Sequence, residues 1–221
     1  MHYMYLPICI ESNGMWDVRL PANLMFANDL VQHAIYSETI RGNSWKYVYL
    51  IACRGYATPG NPLNRPGWHS DGFGTPDVNY VWTDRFPTQF AIKDFENISS
   101  DHNVSIQQFA EQVNPSLVFE YPDCMLMRLD SSVIHAAPEI PAPDGVRSFL
   151  KVSFSNDRYN LVGNSHYHLF EYDWQMFERD AVRNDLAHAG RDSVTLRWRT
   201  YLRRTLPSTG RSGTRITPSI T

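Results

Sequence analysis

The chain lacks the features that would place it in several large classes. No apolar run approaches the roughly twenty residues needed to cross a bilayer, and the N-terminus has no signal-peptide layout. Cys9, Cys53 and Cys124 are odd in number, widely spaced and set among apolar neighbours. They read as buried free thiols in a reducing compartment, not as a disulfide frame or a zinc site. Nothing matches a Ser/His/Asp nucleophile elbow, a phosphate-cradling glycine loop or a paired-carboxylate glycosidase. Strong net charge is missing too, since −3 gives no electrostatic case for nucleic acid. A soluble cytoplasmic protein without membrane or nucleic-acid partners is the expectation.

Charge is nevertheless unevenly placed. From Arg191 onward seven arginines face one acid, Asp192, whereas the preceding residues hold 13 basic and 22 acidic side chains. Such a tail either touches an acidic surface or is a solvated end, and biased termini are commonly the latter. The 221 residues suffice for one well-filled domain. Aromatics at 13%, with fourteen prolines and twelve glycines, favour a β-rich fold with many turns over a helical bundle.

Leu24, Ala27, Val31, Ala34 and Ile35 recur at helical spacing, which predicts a helix over 21–41 with Gly42 as its C-terminal cap. Dense Tyr, Val, Leu and Ile predict a strand over 46–54, and the Gly/Pro/Asn-rich stretch 55–67 predicts a loop. Further strands are expected at 78–83, 87–93, 116–121, 124–129 and 146–155. A short helix at 104–113, capped by Asn103 or Ser105, interrupts them. In the last strand Ser148, Leu150, Val152 and Phe154 fall on one face, and Arg147, Phe149, Lys151 and Ser153 on the other. A cationic stripe there requires solvent or an anionic partner. Beyond 156, helices are expected over 174–189 and 194–206, followed by a mobile basic end over 207–221.

The most informative residues are His69 and Asp71 in Trp-His-Ser-Asp-Gly and His135 sixty-six residues later. A His-x-Asp pair puts two side chains on the same side of an extended segment, and a histidine at the end of a distant apolar run supplies a third ligand. Two imidazoles and one carboxylate hold Fe(II) on one face and leave the other positions open. Arg147, twelve residues after His135, points to an anionic chelating co-substrate in those positions.

This set resembles the Fe(II)/2-oxoglutarate-dependent oxygenases. The resemblance covers roughly residues 46–155. It implies a double-stranded β-helix (jelly roll, cupin-like) with an N-terminal helix and a C-terminal helical extension, in a single domain over 1–206. It implies His69, Asp71 and His135 as catalytic iron ligands and Arg147 as partner of the far carboxylate of 2-oxoglutarate. Several branches carry a serine two residues after that arginine, where Phe149 stands here and Ser148 is adjacent. Lys151 shares the face of Arg147 and could take or share the contact, with Arg128 a third candidate. Arginine's planar fork suits a carboxylate better than lysine's point charge. Gln89 is a further donor to the co-substrate by analogy with amides in some relatives. Phe73, Tyr80, Trp82 and Asp84, with Arg85 beside it, are expected at the barrel mouth facing substrate, although aromatic residues in strands as often fill cores.

The resemblance implies a reaction in which 2-oxoglutarate and dioxygen are consumed, succinate and carbon dioxide leave, and a C–H bond of a small molecule is oxidised. An amino acid or biosynthetic intermediate is the expected substrate class. Alternatives are an oxygenase acting on nucleic acid or protein with the basic tail as docking arm, an iron dioxygenase needing no 2-oxoglutarate, and a non-catalytic jelly-roll binding module. His166 and His168 form a second His-x-His pair without an acidic partner and read as surface residues, while His33 and His102 read as solvated or structural.

Overall fold

The structure, a computed structural model, describes residues 1–10, 16–65, 67–178 and 194–196. Its strands are β1 (His2–Ile10), β2 (Tyr47–Ala57), β3 (His69–Ser70), β4 (Val78–Thr83), β5 (Gln89–Ala91), β6 (Phe95–Ile98), β7 (Val118–Glu120), β8 (Met127–Leu129), β9 (Ile134–Ala136), β10 (Gly145–Ser155) and β11 (Val194–Leu196). Helix α1 spans Asn28–Ile40 after a 3-10 turn at Ala22–Ala27, and α2 spans His102–Gln112. The fold is mostly β with antiparallel pairing, as composition leads one to expect.

The largest sheet runs β1-β2-β10-β4-β8 and a second runs β3-β9-β5-β7. Strand β10 is central because it is paired on both sides. It matches β2 from Gly145↔Ala57 to Ser155↔Tyr47, and β4 from Phe149↔Thr83 to Phe154↔Val78. The period of two then assigns its faces. Leu150, Val152 and Phe154 join Val48, Leu50, Val78 and Tyr80 against Val31, Ala34 and Ile35 of α1. Phe149 turns the other way and packs with Val81, Phe90, Met127 and Leu129. A third cluster, with Phe95, Ile98 and Ile134, is closed by Phe109 of α2.

The helix predicted at 21–41 is thus a 3-10 turn leading into α1. Its end follows the expected cap: Gly42 has φ +74, its N–H donates to Thr39 O, and that of Asn43 donates to Glu38 O. This is a Schellman ending, which L-residues with a Cβ adopt poorly. At α2, Asp101 Oδ1 accepts from the Val104 N–H at 3.0 Å, ahead of the caps expected at Asn103 or Ser105. Four strands besides β11 lie outside the expected ones: β1, β3, β6 and β9. Residues Trp174 to Glu178, expected to begin a helix, are non-helical, with Phe177 bridged in parallel to Leu161. Val194–Leu196, also expected to be helical, form β11 against β6. An unpaired strand edge offers its backbone groups to any segment able to pair, and a Val-Thr-Leu run fits that role. The remainder of both expected helices and the 207–221 tail lie outside the described residues. No described helix is long and apolar enough to cross a membrane.

Between α1 and the sheet lies a buried ion pair. Arg128 Nε donates to Glu38 Oε1 at 2.7 Å, and that oxygen also accepts from the Tyr80 hydroxyl at 2.7 Å. Glu38 Oε2 accepts from Asn43 and Trp45. Burial alone would raise the Glu38 pKa, but Arg128, Tyr80 and Asn43 outweigh it and hold the carboxyl below its usual range. Its stabilisation is therefore complete above the ordinary carboxylate pKa and is lost as pH falls through the lower folded value. Glu38→Gln removes the close counter-charge of buried Arg128 and leaves it only the more distant Asp130, whose Oδ2 lies 3.9 Å from Nη1, among the described residues. Urea denaturation at neutral pH should show a loss of about 3–5 kcal/mol, and a shallower fall of stability on acidification than in the wild type. An unchanged midpoint would contradict this account.

Candidate metal centre

The second sheet brings the two histidines together. His69 of β3 is the register partner of His135 of β9, so both imidazoles leave neighbouring strands on the same side. Their ring centroids are 4.5 Å apart. Asp71 follows β3 and enters a turn at Gly72, which has φ +68. A Cβ there would lie 2.8 Å from Thr75 Oγ1 and 3.1 Å from Asp77 Cβ, so the turn requires glycine. One ligand atom from each of His69, Asp71 and His135 lies within 4.8 Å of the others.

The donor set could hold a metal ion. His69 Nδ1 lies 2.8 Å from Gly67 O and His135 Nδ1 3.2 Å from Val133 O. A carbonyl only accepts, so Nδ1 carries the proton and each Nε2 keeps its lone pair for a metal. Burial, and secondarily the charge of His135, pulls the His69 pKa down to about 4, so it is neutral at physiological pH. Asp71 Oδ2 lies 3.5 Å from His135 Nε2 and 2.9 Å from Lys151 Nζ. Burial would raise the Asp71 pKa, but Lys151 and the two histidines hold it well below the usual carboxylate range. The two imidazoles and a carboxylate suit Fe(II) and leave positions for exogenous ligands.

These residues line a cavity of about 320 Å³ together with Tyr5, Asn64, Thr88 and Phe149. A second cavity of about 260 Å³ shares Arg65, His69 and Ser70 with it and reaches Phe73.

No protein-family model matches the chain, and no curated protein or solved structure is significantly similar to it. The chemistry of the site rests on its own geometry.

Arg147 is on the inner face of β10 and 1% exposed, but it stands behind the cavity lining. Its Nε donates to Phe86 O at 2.9 Å and its Nη1 to Pro62 O at 3.1 Å and to Asn64 Oδ1, while Nη2 has no partner among the described residues. No carboxylate among the described residues forms an ion pair with it, and burial draws its pKa down to about 10, partly offset by Cys53 and Asp84. Asn64, its acceptor, does line the cavity. Lys151, by contrast, reaches the ligand set directly, with Tyr5 Oη at 3.5 Å as its second partner.

Several expected site residues lie elsewhere. Gln89 donates to Glu120 Oε1 at 2.7 Å and is not in the cavity lining, whereas the preceding Thr88 is. Tyr80 and Trp82 alternate with Val81, so they face α1 and its core while Val81 faces the cavity. Asp84 Oδ1 accepts from the Ser148 N–H at 2.7 Å and joins two backbone segments. Arg128 is committed to Glu38. Phe73 stays near, with its ring 6.1 Å from that of Phe109 in an edge contact. His33, His166 and His168 are exposed, as expected. Cys9 is buried, Cys53 half-buried and Cys124 exposed, so only the first matches the expected burial.

Residues not expected from the sequence come from β1 and two loops: His2, Met4, Tyr5, Asn64, Arg65 and Thr88. Saturating Co(II) should stabilise the wild type, by about 2.7 kcal/mol at a hundredfold excess over the dissociation constant. The melting temperature of His135→Ala should respond far less. Equal shifts in the two proteins would place the metal elsewhere.

Proposed function

We propose that the protein is a non-haem Fe(II)- and 2-oxoglutarate-dependent oxygenase that oxidises a C–H bond of a small-molecule substrate. The observation that carries this reading is the pairing of the His69, Asp71 and His135 donor set with Arg147. That guanidinium is buried without an ion-paired carboxylate among the described residues, and its acceptor Asn64 lines the same cavity as the three candidate ligands. The strand orders support a double-stranded β-helix. In chain order β2, β4, β8 and β10 belong to the first sheet and β3, β5, β7 and β9 to the second, so the chain winds between two facing sheets. The free cysteines support a reducing, cytoplasmic setting.

In this reading His69, Asp71 and His135 would hold the iron. Arg147 would receive the far carboxylate of 2-oxoglutarate, exchanging Asn64 Oδ1 for it and using Nη2. Phe149, Val81 and Ile51 shield the cavity from water on the side of the larger sheet. The iron and co-substrate supply dioxygen activation, with 2-oxoglutarate converted to succinate and carbon dioxide. The protein's share is to hold the reacting carbon beside the metal and to keep its ligands in place.

Anaerobic addition of Fe(II) and 2-oxoglutarate should produce a visible metal-to-ligand charge-transfer band, and admission of oxygen should release succinate. Absence of the band would sink the proposal. Arg147→Gln and Arg147→Lys should each raise the 2-oxoglutarate concentration needed for half-maximal band intensity, by about tenfold or more for the glutamine variant. A band indifferent to both would favour an iron oxygenase that uses no 2-oxoglutarate.

A further inference from the structure

Strand β1 contributes an unusual wall to the cavity. Tyr3 pairs with Ala52 and Leu6 with Leu50, so three steps along β1 oppose two along β2. This bulge turns the consecutive residues Met4 and Tyr5 both towards the cavity, whereas regular alternation would send Tyr5 to the side of Tyr3. Tyr5 takes φ +46, a left-handed conformation uncommon for an aromatic residue. Its ring is fixed edge-on to that of Tyr159 at 5.0 Å, and Tyr159 is anchored by a 2.7 Å hydrogen bond to Asp77 Oδ2. Lys151 Nζ stands 5.3 Å from the Tyr5 ring centroid and 3.5 Å from its hydroxyl. An ammonium has three donors, and Asp71 and Tyr5 take two of those of Lys151 among the described residues.

Asp71 is the one acidic side chain lining the cavity among the described residues. Once its carboxylate also serves a divalent ion, its single charge no longer offsets Lys151 in full. A dianionic chelator with Asp71 then leaves a single negative charge over the metal, which Arg147 answers, and Arg65 in the cavity lining adds a further positive charge. Lys151 remains as a buried positive charge beside the metal, which requires an anion. We infer that Lys151 and Tyr5, delivered by the β1 bulge, form a substrate subsite for an anionic group, so that the substrate is a small acid held by its carboxylate, phosphate or sulfonate. The inference rests on the oxygenase reading of the ligand set and goes beyond it in naming the substrate class.

Hexanesulfonate, an anion that ligates metals poorly, and hexylammonium serve as matched probes in anaerobic calorimetry of the protein loaded with Fe(II) and 2-oxoglutarate. Hexanesulfonate should bind the loaded wild type, about tenfold or more weakly to Lys151→Met, and about fivefold weakly to Tyr5→Phe. Hexylammonium should not bind. The Tyr5→Phe ring keeps its contact with Tyr159, so that variant serves even if Lys151→Met fails to fold. Equal sulfonate binding by wild type and Tyr5→Phe, no sulfonate binding by the loaded wild type, or tighter binding of hexylammonium would overturn the inference. Failure of the charge-transfer band to form marks failure of the oxygenase reading instead, and the same titrations on Zn(II)-loaded protein then decide the subsite alone.

Discussion

A cation buried in a protein needs an anion, and the central strand of this fold carries two cations on its inner face. Arg147 and Lys151 are four residues apart on β10, both nearly inaccessible to water. Lys151 finds Asp71, the carboxylate of the candidate ligand set, whereas among the described residues Arg147 finds only carbonyls and an amide. Neither arrangement is what a structural core alone would select, because apolar residues of similar volume commonly stabilise as well or better. The strand is held in place by full-length pairing with β2 and by β4 on its other side, so these charges cannot turn away to solvent.

The same alternation separates a stabilising layer from a chemical one. Outward residues of β2, β4 and β10 merge with α1 into the largest apolar cluster. The Glu38–Arg128 pair lies on that side and links the helix to β8. Inward residues mix apolar and charged groups around a cavity, and there the polar side chains are aimed by rigid strands. Candidate ligands aimed by rigid strands are what ordered metal binding would need.

Much of this was legible in the sequence. Strands β2, β4 and β10 announce themselves by β-branched and aromatic density, and the two faces of β10 follow from its alternation. His69, Asp71 and His135 stand out by ligand chemistry, and the structure brings them together. What failed is instructive. Alternation separates Tyr80 and Trp82 from Val81 but does not say which set faces the cavity, and here both sheet faces are covered, so both look apolar. Gln89 and Thr88 differ by one residue and therefore by a face. Arg128 has a partner ninety residues earlier that no local pattern reveals. Strand β1 contains Pro7 and two register shifts, so it shows no regular period, although an edge position tolerates both. Tyr5 reaches the cavity through one of those shifts.

The central claim is that His69, Asp71 and His135 bind a divalent ion while leaving adjacent coordination positions to exogenous ligands. Water-proton relaxation of the Mn(II)-loaded protein tests it directly, because only water exchanging at open positions is strongly relaxed. A high relaxivity that falls when 2-oxoglutarate is added is the predicted result. A relaxivity that is low from the start, or unchanged by 2-oxoglutarate, would contradict the account.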